Sequence, residues 1–163
     1  MHGSVVGAAE HHWKEGRMTL EEMEKRLRAL EDLEEIKRLH RKYISYLDNL
    51  EFKKVLDLFT EDAVAEVRDS GPRRGKKEIS EIYLGVLAKR TTRKDGHLVG
   101  QPDITVEGNK AKGHWIVYIL FSEPSIQWVQ GRNDCEYVKE NGQWKFSKVK
   151  FTRTLASQPH LFP

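Results

Sequence analysis

Apolar residues recur at helical spacing through the first third of the chain and at strand spacing after it. Leu20, Met23, Leu27 and Leu30 form one helical stripe. Leu30, Leu33, Ile36 and Leu39 then advance by threes, and each such step falls about 60° short of a full turn. The stripe drifts, which predicts a bend or break near Glu31, or else a stripe that changes partner. The first piece reads as an arm and the second as a piece packed on the domain. Thr19 stands as N-cap, with Glu22 in place for a capping box. A coiled coil is the alternative for the arm, but it ordinarily needs more heptads.

"EFKKVLDLF" predicts a short second helix, and the alternation of "AVAEVRD" predicts a strand. "KKEISEIYLGVLAKR" predicts a third helix with Ile79, Ile82, Tyr83, Val86 and Leu87 on one side. From His97 onward the pattern is strands. "HLVGQPDITVEG" and "KAKGHWIVYILF" meet at a Gly-Asn turn, and "IQWVQGRNDCEYVKE" meets "QWKFSKVKFTRTL" at Asn141-Gly142, a strong hairpin signal. In the last strand Trp144 and Phe146 share one phase, whereas Val149, Phe151 and Leu155 share the other. That switch predicts a β-bulge near Ser147. Helices first and strands later mean an α+β fold with an antiparallel sheet against the helices. In "GHWIVYILF", both alternating sets are apolar enough to predict that both faces of the strand are covered, one by helices and one by a neighbouring subunit.

Composition narrows this further. With 163 residues, 38% hydrophobic and 33% charged, the chain reads as one domain large enough to bury a core. The expected division is a tail over 1–17, a domain with its helical arm over 18–156, and a C-terminal tail over 157–163. No apolar run is long enough to span a bilayer. The first residues lack the n-region and h-region of a secretory signal, and the single cysteine, Cys135, leaves no internal disulfide. Both point to the cytoplasm. The net charge is +3, and its sharpest basic run, Arg73 to Lys77, comes without the stacking aromatics or module of a nucleic-acid binder. The histidines show no metal-ligand spacing. No nucleic acid, membrane, metal or cofactor is expected. The partner expected is a hydrophobic small molecule, including an anionic one or a coenzyme A thioester.

The order helix, "YxxxxD", short helix, "LFTEDA", strand, helix, "HxxxxP", three long strands and "GR…Y…NGQWKF" resembles the SnoaL-like branch of the nuclear transport factor 2-like superfamily. Within it the nearest echoes are bile-acid 7α-dehydratase, lindane dehydrochlorinase and scytalone dehydratase. The resemblance spans roughly residues 30 to 156. It implies a cone: a curved antiparallel sheet wrapped around N-terminal helices, with a deep pocket, in a homodimer or homotrimer. It implies that Tyr43 and Asp48 point into the cone, that His97 partners Asp48, and that Arg153 lies late in the last strand at the same site. Trp115, Val117, Trp128, Asn133, Cys135 and Phe151 are implied as pocket wall. Where the bile-acid enzyme has its histidine this chain has Gly100, which favours the Asp-His pairing of the dehydrochlorinase. Where many members carry a tyrosine and an aspartate after "GR", this chain has Asn133 and Cys135.

The implied activity is a cofactor-independent lyase of dehydratase type, or an isomerase, acting by proton abstraction on a carbonyl-bearing steroid, polyketide or aromatic. Histidine suits the base, since its pKa lies near neutrality. A carboxylate on its other nitrogen would fix the tautomer and stabilise the imidazolium. Tyr43 and Arg153 would hold the carbonyl or enolate oxygen. The alternative is a non-catalytic binding or oligomerisation module, including a role like that of a dioxygenase small subunit, because the fold hosts both.

Residue chemistry alone leaves blander readings open. Asp48 and Asn49 also fit helix-ending polar residues. His97 fits a strand edge, Tyr43 a core aromatic with a satisfied hydroxyl, and Arg153 a surface cation. His114 reads equally as packed or as a second pocket histidine. His40 reads as exposed, and Cys135 as a buried inert thiol.

Overall fold

The computed structural model describes residues 18–67 and 71–157. The tails expected over 1–17 and beyond Ser157 lie outside them, as do Arg68 and Asp69 of the predicted strand.

Helix α1 runs unbroken over Leu20–Asp48. Thr19 Oγ1 accepts from the Glu22 amide at 3.1 Å, and Glu22 Oε2 accepts from the Thr19 amide at 2.8 Å, completing the capping box. The helix does not break at Glu31; the stripe changes partner. Ile36, Leu39, Tyr43 and Leu47 are buried against the sheet, whereas every residue from Leu20 to Glu31 is exposed. Asp32 pins the crossover point by accepting from Lys139 Nζ at 2.6 Å and Trp144 Nε1 at 2.8 Å. His40 lies inside the buried stripe, not on the surface as expected.

Helix α2 covers Phe52–Asp57 and strand β1 Phe59–Glu66. A two-residue strand, β2 (Arg73–Arg74), leads into α3 (Gly75–Ser80), a π-helical stretch over Glu81–Leu87, and a last turn, α4 (Ala88–Arg90). Ile79, Ile82, Tyr83 and Leu87 are buried as predicted, but Val86 is 42% exposed. The wider π turn rotates it off the buried side.

Four long strands complete the chain: β3 (Gly96–Glu107), β4 (Lys110–Phe121), β5 (Gln127–Glu140) and β6 (Gln143–Ala156). The sheet order is β2-β1-β6-β5-β4-β3. The sheet is mixed and not wholly antiparallel, because β1 lies parallel to β6. Asn141 and Gly142 both hold positive φ, 50° and 78°, as a tight hairpin turn requires. The bulge predicted near Ser147 is present: Glu136 faces Lys148 and Tyr137 faces Phe146, so Ser147 is skipped. Trp144, Phe146 and Val149 consequently all point to the core. A second bulge skips Thr154, and a third in β3 follows Gly100, with Gln101 at φ 48°. These irregularities curve the sheet.

Ile36, Val55, Phe59, Tyr83, Tyr137, Phe146 and Val149 make the fully buried centre. Each aliphatic or phenyl group buried there contributes roughly 1.5–3 kcal/mol relative to exposure. No helix among the described residues is long and apolar enough to cross a membrane.

Candidate active site

The end of α1 decides between the two readings of Asp48. The Leu50 amide donates to Leu47 O at 3.1 Å and the Glu51 amide to Tyr46 O at 2.8 Å, the paired bonds of a Schellman motif. Leu50 takes the left-handed position at φ 59°, which costs a non-glycine roughly 1 kcal/mol; its side chain packs against the core in return. Asn49 Nδ2 also donates to Ser45 O at 2.8 Å. The helix is closed without the Asp48 carboxylate.

That carboxylate faces His97, the second residue of β3. Asp48 Oδ1 lies 2.7 Å from His97 Nδ1, with the two side chains 33% and 11% exposed. With Nδ1–H donated to Asp48, Nε2 is the ring nitrogen left to take a proton. Among the described residues no cation pairs with Asp48.

His97 lines an apolar cavity enclosed by Tyr43, Ile44 and Leu47 of α1, the inward residues Val117, Ile119 and Phe121 of β4, Asn133 of β5 and Phe151 of β6. The slot is small, with a volume of about 60 Å³. Leu87, Arg90, Thr91 and Asp95 border it, and Val67 follows β1 into its wall. Gly131 admits Phe151: a Cβ there would meet the Phe151 ring at 2.4 Å and Thr152 O at 2.7 Å.

Tyr43 and Asn133 line the slot beside His97, and Tyr83 stands behind Tyr43. Tyr43 Oη is 2.9 Å from Tyr83 Oη, both fully inside the protein. One hydroxyl donates to the other, so the pair retains one proton for a third group. Burial holds both phenols well above their ordinary pKa, outweighing their mutual bond at Tyr43, and keeps them protonated donors. Asn133 is 4% exposed, and its amide makes no hydrogen bond to a described residue. It lines the cavity, where its amide can both donate to and accept from a ligand. Arg90, at the rim, makes no ion pair among the described residues.

Several expected wall residues lie elsewhere. Trp115 is inward-facing but sits deeper, its ring stacked on His40 at 4.0 Å and its Nε1–H donated to Tyr137 Oη at 2.9 Å. Cys135 is buried and does not line the slot; burial pushes its thiol pKa up to about 12. Trp128 falls in the outward phase of β5 and packs near Tyr118, with ring centroids 6.2 Å apart. Arg153 continues the phase of Phe151 but is exposed beyond the cavity. Arg90 is the cation at the rim instead. His114 is neither packed nor in the pocket: it is on the outer sheet face, 2.5 Å from Asp134. Reasoning from the sequence missed Tyr83 and Arg90 as site residues; only the amphipathic spacing of their helix hinted at Tyr83. Among the described residues no cluster of histidine, cysteine and carboxylate side chains could hold a metal ion.

The SnoaL-like domain model matches residues 28–150. The chain belongs to the SnoaL-like family. Solved structures place this SnoaL-like chain in the cystatin-like, nuclear transport factor 2-like fold. A nuclear transport factor 2-like protein with a cystatin-like fold from Novosphingobium aromaticivorans superposes with a TM-score of 0.76 at 20% identity, covering 89% of this chain and 96% of that one. A proposed scytalone dehydratase from the same organism gives 0.72 at 21% identity, over 82% and 91%. The hexachlorocyclohexane dehydrochlorinase LinA-type3 from Novosphingobium barchaimii gives 0.71 at 20%, over 80% and 92%. At these identities the likeness is one of fold. No match was found among curated protein sequences.

Proposed function

We propose that this SnoaL-like chain is a cofactor-independent lyase of dehydratase type, or an isomerase, acting on a hydrophobic carbonyl compound. The observation that carries the reading is the 2.7 Å Asp48–His97 contact at the wall of an apolar slot. His97 Nε2 takes a proton from the carbon beside the carbonyl. Asp48 holds the tautomer and stabilises the imidazolium that forms. The Tyr43–Tyr83 pair or the Asn133 amide donates to the carbonyl oxygen as enolate charge develops. The imidazolium then returns its proton to the departing hydroxyl, which leaves as water. This reaction exchanges no electrons with a carrier, so the residues of the slot suffice for it.

The small volume of the slot favours a compact aromatic or conjugated ring over a bulkier saturated one. Arg90 at the rim suits a substrate with an anionic tail. The same small volume also supports the alternative of a non-catalytic binding module, since side chains fill much of the cone. Exposed Leu98, Leu120 and Leu155 near the far end of the sheet support a homodimer or homotrimer.

A screen of β-hydroxy carbonyl compounds, read by the ultraviolet absorbance of the conjugated product, tests the lyase reading. Wild-type protein should form product and His97→Ala should not. Equal rates in both would overturn the assignment. Thermal shifts with naphthoate and its methyl ester test the tail. The acid should raise Tm more than the ester, and Arg90→Gln should remove the difference; an equal response of the wild type to both contradicts it.

A further inference from the structure

The first three turns of α1 stand apart from everything described above. Leu20, Met23, Leu27 and Leu30 are 77%, 46%, 57% and 61% exposed. They succeed one another by three, four and three residues, the a and d positions of a heptad. All residues from Leu20 to Glu31 are exposed, so among the described residues none covers the apolar seam of this stretch of helix, about 15 Å long between Leu20 and Leu30. An isolated helix of this length is marginal in water. This one is extended from the packed half of α1, yet it presents a continuous row of large apolar side chains to solvent.

We infer that this arm docks against the same arm of a second copy of the chain, parallel and in register. Charge selects the orientation. With Leu20 and Leu27 at a, and Met23 and Leu30 at d, Arg26 takes a g position and Glu31 the following e position. Parallel arms bring Arg26 of each copy to Glu31 of the other, an attractive pair made twice by symmetry. Antiparallel arms bring Arg26 to Arg26 and Glu24 to Glu24, repulsive in both cases. The one ion pair within the arm, Arg28–Glu24 at 3.3 Å, bridges an outward b position to the flank and leaves the seam clear. Two heptads are too few for a free coiled coil. Here the seam is rigidly continuous with two folded domains, and Asp32 anchors its base through Lys139 and Trp144. Each domain is then held beside its partner at the same end of the seam.

Sedimentation of the full-length chain tests the seam. Leu27→Glu should raise the dissociation constant of the assembly by roughly 10²-fold and leave the domain's circular dichroism and melting intact, because Leu27 is 57% exposed and lies outside the described core. Glu31→Arg should weaken assembly, and Arg26→Glu with Glu31→Arg should restore it. Cysteine cross-linking reads the orientation, with Cys135 buried out of reach. Leu30→Cys alone should oxidise to a covalent dimer. Preferential cross-linking between Leu20→Cys and Leu30→Cys chains would overturn the parallel arrangement. An unchanged mass for Leu27→Glu, with no Leu30→Cys dimer, would overturn arm pairing altogether and leave the stripe to the residues that precede it or to another protein.

Discussion

Two His–Asp pairs occupy opposite faces of the same sheet, and chemically they begin alike. In both, imidazole Nδ1 meets a carboxylate Oδ1, at 2.7 Å for His97–Asp48 and 2.5 Å for His114–Asp134. Their surroundings differ in everything else. His97 is 11% exposed against an apolar slot, whereas His114 is 54% exposed on the outer face. Asp134 is shared: Arg132 Nε lies 2.8 Å from the same oxygen, and its terminal nitrogen 3.0 Å from the other. Partial burial raises the Asp134 pKa, but the bonds from His114 and Arg132 outweigh it and hold the carboxyl below its ordinary value. An arginine on the carboxylate already answers the charge that an imidazolium would use. Among the described residues Asp48 has no such competitor. The comparison teaches that a His–Asp contact becomes a candidate base only when the carboxylate is undivided and the second nitrogen meets a cavity.

The largest break in the comparison should come from His97→Ala, which removes the base and should lower turnover of an accepted substrate by about 10²–10⁴-fold in steady-state assays. Asp48→Asn keeps the shape and removes the charge; a loss of roughly 10²-fold, about 2.7 kcal/mol of transition-state stabilisation, is expected. His40 sharpens the comparison as a histidine with no carboxylate. It is buried, its Nδ1 is 3.4 Å from Tyr137 Oη, and its Nε2 lacks any partner among the described residues. Burial lowers its pKa to about 3, from an ordinary 6.5. Between these values the unfolded chain binds the proton that the folded chain refuses. Stability is therefore full above the unfolded value and is lost as pH falls toward the folded one, by about 1.4 kcal/mol per pH unit. Urea melts at pH 7 and pH 5 should differ by about 2 kcal/mol from this group, and His40→Gln should remove that part of the slope. The smallest effect belongs to the outer pair: His114→Ala should leave turnover at the slot unchanged and stability within about 0.5 kcal/mol.

What was legible in the sequence was chiefly local. Thr19 with Glu22, Asn141-Gly142 and the phase switch after Phe146 each act over a few residues, and each predicted its cap, turn or bulge. Asp48 and His97 are 49 residues apart; only the family resemblance paired them, because no local rule joins a helix end to a strand start. Alternation tells which face a strand residue occupies but not how deep. Trp115 and Cys135 are inward as expected, yet neither lines the slot: Trp115 is taken up by stacking on His40 and bonding to Tyr137. Trp128 was legible as outward, being out of phase with Val129, Gly131 and Asn133, although it was expected in the pocket wall. His40 shares the helical stripe of Ile36 and Tyr43, but its polarity argued for the surface. Arg90 was hidden because its place depends on where a π-helical stretch ends, and the parallel β1–β6 pairing because it is wholly non-local.

Deuterium exchange tests the central claim most directly, because it needs only proton abstraction and not a complete reaction. Flat aromatic and polyketide-like ketones are incubated with the protein in D2O, and deuterium at the carbon beside the carbonyl is read by NMR. The account predicts exchange catalysed by the wild type and by His114→Ala, reduced about 10²-fold or more in His97→Ala and to a lesser degree in Asp48→Asn. Exchange that persists undiminished in His97→Ala, or that falls equally in His114→Ala, would contradict it.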